Sequence, residues 1–200
     1  MIRITSLTEK EIREIGEAFA NHSYVDGERG MYSYFKNHDA VSGYISDYAR
    51  RAMLRGNLYS TSDNHEAYIS FRTSDESMVD AVGIGIVRSL IRNMGFFGAL
   101  GFLRRLSLAG KPFDKILRKE KKDFIIVGLL AVTEKYQGQG YMRKALDIAF
   151  EEGRKRNCSV YLETDGADKR DKYMSLGMEC TGARKISDGS YLYDLVKWPE

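Results

Sequence analysis

The uninterrupted apolar run Phe124–Val132 (FIIVGLLAV) limits the possible folds of this chain more than any other feature. Aliphatic and β-branched residues in a run of this length read as a strand. Side chains of a strand alternate between its faces, so a continuous apolar run has no wet face. The strand therefore belongs inside a sheet covered on both sides. A loop bearing Gly138 and Gly140 follows, and then residues 141–156, where Met142, Ala145, Leu146, Ala149 and Phe150 fall on one face of a helix.

The remaining segments predict the covering layers. Residues 2–5 read as a short first strand. Thr8 and Glu11 have capping-box spacing and open a helix to about Ala20, with Ile12, Ile15, Ala18 and Phe19 on one face. Residues 21–37 read as a loop with a turn at Asp26-Gly27. A second helix over 39–55 carries Val41, Tyr44, Ile45, Tyr48, Ala49, Ala52 and Met53 at helical spacing. Residues 57–62 and 66–73 predict a hairpin turned by Ser62-Asp63-Asn64. Helical character returns over 82–92 and 96–106, and Lys111-Pro112 marks a break. Beyond residue 156 come a strand at 159–163, a short helix at 169–176 and a last strand at 191–196. The order is that of an α/β (α+β) chain with a mixed sheet.

Hydrophobic residues at 43% and charged residues at 30% give an ordinary soluble balance. Cys158 and Cys180 do not make a disulfide framework, and no Cys/His cluster has metal-ligand spacing, so no metal is expected. His22, His38 and His65 are scattered and read as surface or capping residues. Residues 1–11 lack the apolar core of a signal peptide, and no stretch reaches the roughly 18 apolar residues of a membrane span, so a cytoplasmic protein is expected. Charge is unevenly spread. Residues 83–122 hold ten Lys/Arg and two acids, a net +8, against +3 for the whole chain and so −5 for the remainder. The plainest account is an extra helical pair over the sheet or the substrate cleft, with its basic residues in water. Attachment to an anionic membrane surface or a lid over the site are the alternatives. A nucleic-acid partner is disfavoured, because the basic residues interleave with core-type aliphatics and no binding motif appears.

Chemistry concentrates after the apolar strand. Glycines at 138 and 140 allow close backbone approach, and the helix that follows offers unpaired N–H groups and a positive dipole end, which together suit a phosphate. No G-x-G-x-x-G and no G-K-[ST] is present, which disfavours nicotinamide-binding and Walker-type loops. Gln137-x-x-Gly140-x-Met142, preceded by Leu130-Ala131-Val132, resembles the Q/R-x-x-G-x-G/A signature of the GNAT acyltransferases. Met142 departs from it, standing where the family prefers Gly or Ala. Tyr173-Met-Ser-Leu-Gly-Met178 resembles the family's Tyr-x-x-x-Gly-Phe, although the Asn often found ahead of it is absent.

The resemblance implies a single GNAT domain over residues 1–200. Its central sheet is mixed, mostly antiparallel and twisted, flanked by helices, and opens at the motif strand. A basic helical insertion at about 75–122 separates the third and fourth strands. It also implies acetyl-CoA as acyl donor. The backbone of Leu130, Ala131 and Val132 would pair with the pantetheine arm, Gln137 would belong to the signature, and Gly138, Gln139, Gly140, Tyr141, Met142 and Arg143 would hold the pyrophosphate. Tyr173 would protonate the departing thiolate, Glu163 at its strand end would serve as base, and a backbone N–H near Val132 would meet the oxyanion. Tyr24, Glu28, Arg29 and Tyr32, in an acidic and aromatic loop with Asp26 and Tyr34, would meet a cationic amine, most simply a small molecule. Acetylation of protein N-termini or lysines, and a non-catalytic acyl-CoA-binding module, are the competing readings. The chain is expected to be a monomer or homodimer.

Overall fold

The computed structural model describes residues 1–22, 30–76, 82–108, 110, 113–186 and 189–199. The described strands form one seven-stranded sheet in the order β1-β2-β3-β4-β5-β7-β6. These are β1 (Ile2–Arg3), β2 (Leu58–Ser60), β3 (Ala67–Thr73), β4 (Phe124–Val132), β5 (Ser159–Asp165), β6 (Glu179–Lys185) and β7 (Tyr191–Lys197). All neighbours are antiparallel except β4 and β5. The parallel pair is bridged by α6 (Tyr141–Arg156), because parallel strands need a long crossover. The sheet is thus mixed and mostly antiparallel, flanked by helices.

β4 has the predicted bounds and is buried on both faces. On one face Ile125 and Val127 pack with Ala145, Leu146, Ala149 and Phe150 of α6. On the other, Leu129 and Ala131 meet α1 (Glu9–Ala20) and α2 (His38–Leu54) through Ile15, Ile45 and Ala49. The parity of the strand changes between these sets. The register on β3 shifts at Ser70/Phe71, whose partners are Leu129 and Val127 and leave Gly128 unmatched. One extra residue in a ladder reverses which residues face each layer. Leu130 and Val132 therefore join the α6 side, where Ile125 and Val127 also lie.

Between β3 and β4 the chain forms α3 (Val82–Met94), α4 (Phe96–Leu108) and α5 (Phe113–Lys119). Leu90, Met94, Ala99 and Phe102 insert into the core on the α1–α2 side. Among the described residues no single helix is long and apolar enough to cross a membrane. The segments Gly85–Met94 and Phe96–Arg105 pass that test only together and are bent by 117° at their junction.

β6, α5 and the start of the last helix are among the departures from the sequence reading. β6 was not expected, because its residues alternate between exposed and half-buried and include no apolar run. α5 was not expected beyond the Lys111-Pro112 break. The last helix, α7, spans Ala167–Ser175 and so begins ahead of the predicted 169.

The capping box at the start of α1 is complete, since the Thr8 side chain accepts from the Glu11 N–H and the Glu11 carboxylate accepts from the Thr8 N–H at 2.7 Å. The same carboxylate lies 2.9 Å from Nδ1 of His65 in the β2–β3 turn. Hydrogen bonds from the Thr8 side chain and backbone, aided by His65, hold the Glu11 carboxyl down at about 2. A depressed carboxyl contributes stability above its unfolded pKa and loses it as pH falls through the folded value. Glu11→Gln is therefore expected to lower the unfolding free energy at neutral pH, with the wild-type and variant curves converging between about pH 4.5 and about pH 2. Urea unfolding at a series of pH values measures this.

Candidate active site

β4 and β5 stay paired only from Phe124↔Ser159 to Val127↔Leu162. Beyond that point β4 continues along β3, while Glu163–Asp165 of β5 continue along β7. The strands part at the Gly128 bulge, and the β5-side edge of β4 is left open. The Thr133 N–H bonds to the Glu66 carbonyl on the β3 side at 3.0 Å. Backbone direction alternates along a strand, so the N–H groups of Leu130 and Val132 point into the opening.

A cavity of about 920 Å³ occupies the gap. Leu130, Ala131 and Val132 form one wall. Gln137, Gly138, Gly140, Tyr141 and Met142 form its end at the start of α6. Gly138 and Gly140 adopt φ of 74° and 80°, the left-handed region open to glycine, and nothing lies within 4 Å of where a Cβ would stand. Gly140 is the N-cap of α6 and gives it no side-chain cap, and the first turn contains no acid. The helix thus presents uncapped N–H groups and its positive dipole end to the cavity. This open cradle, combined with an unpaired strand edge, fits a pyrophosphate and an amide-bearing arm. Two residues of the motif turn their side chains elsewhere. Gln139 donates to the Lys135 carbonyl at 2.8 Å and Arg143 to the Ser175 carbonyl at 3.3 Å, and neither lines the cavity.

Tyr173 of α7 and Glu163 of β5 both border the cavity. Burial raises the Tyr173 phenol above the usual tyrosine range, and the Asp165 carboxylate adds to the effect. Such a phenol stays protonated at every working pH, but it is a weaker acid than an exposed tyrosine. The Glu163 carboxylate accepts from Arg184, whose guanidinium also donates to the buried Asp194 at 2.9 Å, and Tyr161 donates to Asp194 at 2.6 Å. Glu163 is therefore both a wall residue and one end of a polar network spanning β5, β6 and β7.

Tertiary contacts bring in residues that the sequence reading did not select. His22, read as a surface or capping histidine, is half-buried and borders the cavity, 3.3 Å from Asp168. Burial, helped by Lys169, lowers its pKa, so the ring is neutral at pH 7. Tyr44 and Tyr48 of α2 line the far end with Tyr34, whose ring lies 5.3 Å from Phe102 of α4. Phe102 therefore brings the basic helical segment to the cavity wall. Of the expected acceptor residues, Tyr24, Glu28 and Arg29 lie outside the described residues, as does the side chain of Tyr32.

The acetyltransferase (GNAT) family model matches residues 80–174, a span running from α3 through the glycine loop to Tyr173. Over that span this chain is similar to the GNAT acetyltransferases. Its fold is shared with a mosquito arylalkylamine N-acetyltransferase like 5b, at 13% identity and TM-score 0.58 over 98% of each chain. It is also shared with a Drosophila melanogaster polyamine N-acetyltransferase that forms N-acetylagmatine, at 11% identity and TM-score 0.60 over 99% of each chain. No curated protein matches the sequence.

Gly128 is the site position whose weight sequence reasoning missed, although a lone glycine inside a strand pattern is a bulge signal. A Cβ there would stand 1.9 Å from the Tyr48 hydroxyl oxygen. Overpacking of this kind costs about 1–3 kcal/mol. Gly128→Ala is expected to destabilise the GNAT fold by that order. Tyr48→Phe in the same chain should recover part of the loss, giving a non-zero coupling in a double-mutant cycle measured by urea unfolding.

Proposed function

We propose that this protein is an N-acetyltransferase that transfers an acetyl group from acetyl-CoA to a small amine within a ternary complex. One observation carries the reading: a single cavity runs from the glycine loop at the start of α6 to an aromatic chamber, with Tyr173 and Glu163 on its wall. We take the chain as one domain in which residues 75–122 are inserted between β3 and β4, working in the cytoplasm.

The donor supplies a thioester, whose carbonyl carbon an amine attacks with release of a thiol. Gly138, Gln139, Gly140, Tyr141, Met142 and Arg143 would hold the pyrophosphate through their N–H groups, so the outward side chains of Gln139 and Arg143 are no obstacle. Gln137 would brace the strand end, since its amide donates to the Val132 carbonyl at 3.2 Å. The backbone of Leu130, Ala131 and Val132 would bind the pantetheine arm, and the Val132 N–H would face the oxyanion. Tyr173 donates a hydrogen bond to the departing sulfur. Its raised pKa favours stabilising the thiolate by that bond over giving up the proton early.

The amine must be neutral to attack, and a free amine of pKa about 10.4 is mostly protonated at pH 7. Glu163 takes that proton, and His22, neutral and on the same cavity, is the second group positioned to do so. The aromatic chamber favours a cationic amine bearing an apolar body. The same-fold proteins named for arylalkylamines and agmatine support this acceptor class. Tyr24, Glu28, Arg29 and Tyr32, which precede Tyr34 in the chain, would complete the acceptor contacts.

Thermal unfolding with acetyl-CoA tests the donor site. Ligand at about 100 times its Kd adds about 2.7 kcal/mol of stability. An upward shift of Tm with acetyl-CoA and CoA but not ADP, lost in Gly140→Glu, is expected. No shift at millimolar ligand would reject the site. Tyr173→Phe is expected to lower kcat about 100-fold or more while leaving the acetyl-CoA shift intact. The acid limb of the pH–rate profile should move in Glu163→Gln. If it moves only in His22→Gln, the proton goes to the histidine.

A further inference from the structure

We infer that the outer face of α3 and α4 is a docking surface for an anionic lipid membrane. A helix on the surface of a soluble protein ordinarily turns polar residues away from the core. These two helices present apolar residues outward as well as inward. Their inner residues Leu90, Met94, Ala99 and Phe102 are buried in the core. Their outer residues are apolar as well, with Phe97 84% exposed, Phe96 59% and Leu100 56%, and with Leu103, Val87 and Ile91 also open. The Phe96 and Phe97 rings meet edge to face 5.5 Å apart at the corner between the helices.

The cations of the same helices select the partner. Val82–Met94 and Phe96–Leu108 contain Arg88, Arg92, Arg104 and Arg105 and no acid. Arg88 and Arg104 stand beside exposed Val87 and Leu103 and are themselves exposed. Arg92 is paired with Asp47 of α2 and Arg105 lies over the Tyr34 ring at 5.3 Å, so Arg88 and Arg104 are the cations that face a partner. Apolar side chains flanked by the exposed guanidinium groups of Arg88 and Arg104 match the boundary between acyl chains and phosphate headgroups. A second copy of this chain fits poorly. A two-fold contact sets the patch against itself, arginine against arginine, with no acid on either helix to offset the repulsion. With Leu90, Met94, Ala99 and Phe102 buried in the core, the bent pair can meet a membrane only along its surface. Because Phe102 of α4 borders the cavity from within, a docked molecule would hold one flank of that cavity against the lipid.

Co-sedimentation of the full chain with vesicles tests this. Phosphatidylcholine vesicles are compared with vesicles in which about a third of the lipid is phosphatidylglycerol, at low and high salt. Binding to the anionic vesicles alone, weakened by salt, is expected. Phe97→Ser with Leu100→Ser should abolish it. Arg88→Gln should reduce partitioning about fivefold, on the order of one surface charge's contribution. Both variants should keep the wild-type Tm. Phe97→Trp should bind as the wild type does, with tryptophan emission moving to the blue on anionic vesicles. Three results would overturn the inference. One is no binding to anionic vesicles at low salt, and another is binding unchanged by the Phe97/Leu100 pair. The third is a dimer in analytical ultracentrifugation that this pair disperses while vesicles are ignored, which would make the patch a self-interface.

Discussion

The parting of β4 from β5 after Val127 and Leu162 governs the rest of the structure. A strand edge with unpaired N–H and C=O groups inside a protein is costly unless something satisfies it. Here the edge borders a large cavity, and the elements around it are placed by the same divergence. β4 stays on β3 and carries Leu130–Val132 to one wall, while β5 swings to β7 and carries Glu163 to the other. The crossover between these two strands is α6, so its uncapped N-terminus lies at the end of the gap. The bulge at Gly128 marks the point of divergence and reverses the strand's facing, and the Tyr48 hydroxyl occupies the space a side chain there would need.

Closure of the cavity comes from distant parts of the chain. Tyr34 bonds Ser190 Oγ at 3.4 Å near the β6–β7 turn and packs against Phe102 of α4. Segments at residues 34, 102 and 190 therefore meet over one chamber. The α3–α4 pair has two apolar faces for two different reasons. The inner face extends the core on the α1–α2 side. The outer face has no counterpart among the described residues, and its arginines give it a sign. The −5 balance of the rest of the chain shows that this charge is local rather than a property of the whole.

Local pattern was a good guide wherever burial imposes a period. β4 and α6 have their predicted bounds, because a two-sided apolar run and a helical stripe are each set by which faces are dry. The capping box at Thr8 and Glu11 formed because its partners are three residues apart and need no tertiary help. β6 escaped notice for the opposite reason. It is an edge strand whose side chains are mostly wet, so its order comes from pairing with β7 rather than from its own composition. The glycine loop was legible because backbone with positive φ demands glycine whatever surrounds it, and Gly138 and Gly140 meet that demand.

The sequence by itself determined the buried strand, the glycine turn and the helix that follows, and with them the open cradle at the head of α6. Each depends on contacts within a few residues or on the choice between water and core. Tertiary structure alone decided that β4 and β5 separate, that His22 and Phe102 reach the cavity, that Glu163 is bound by Arg184, and that Gln139 and Arg143 turn away. Those outcomes depend on the register of strands far apart in the chain and on competition among partners for the same polar group. No window of sequence contains both sides of such a contest.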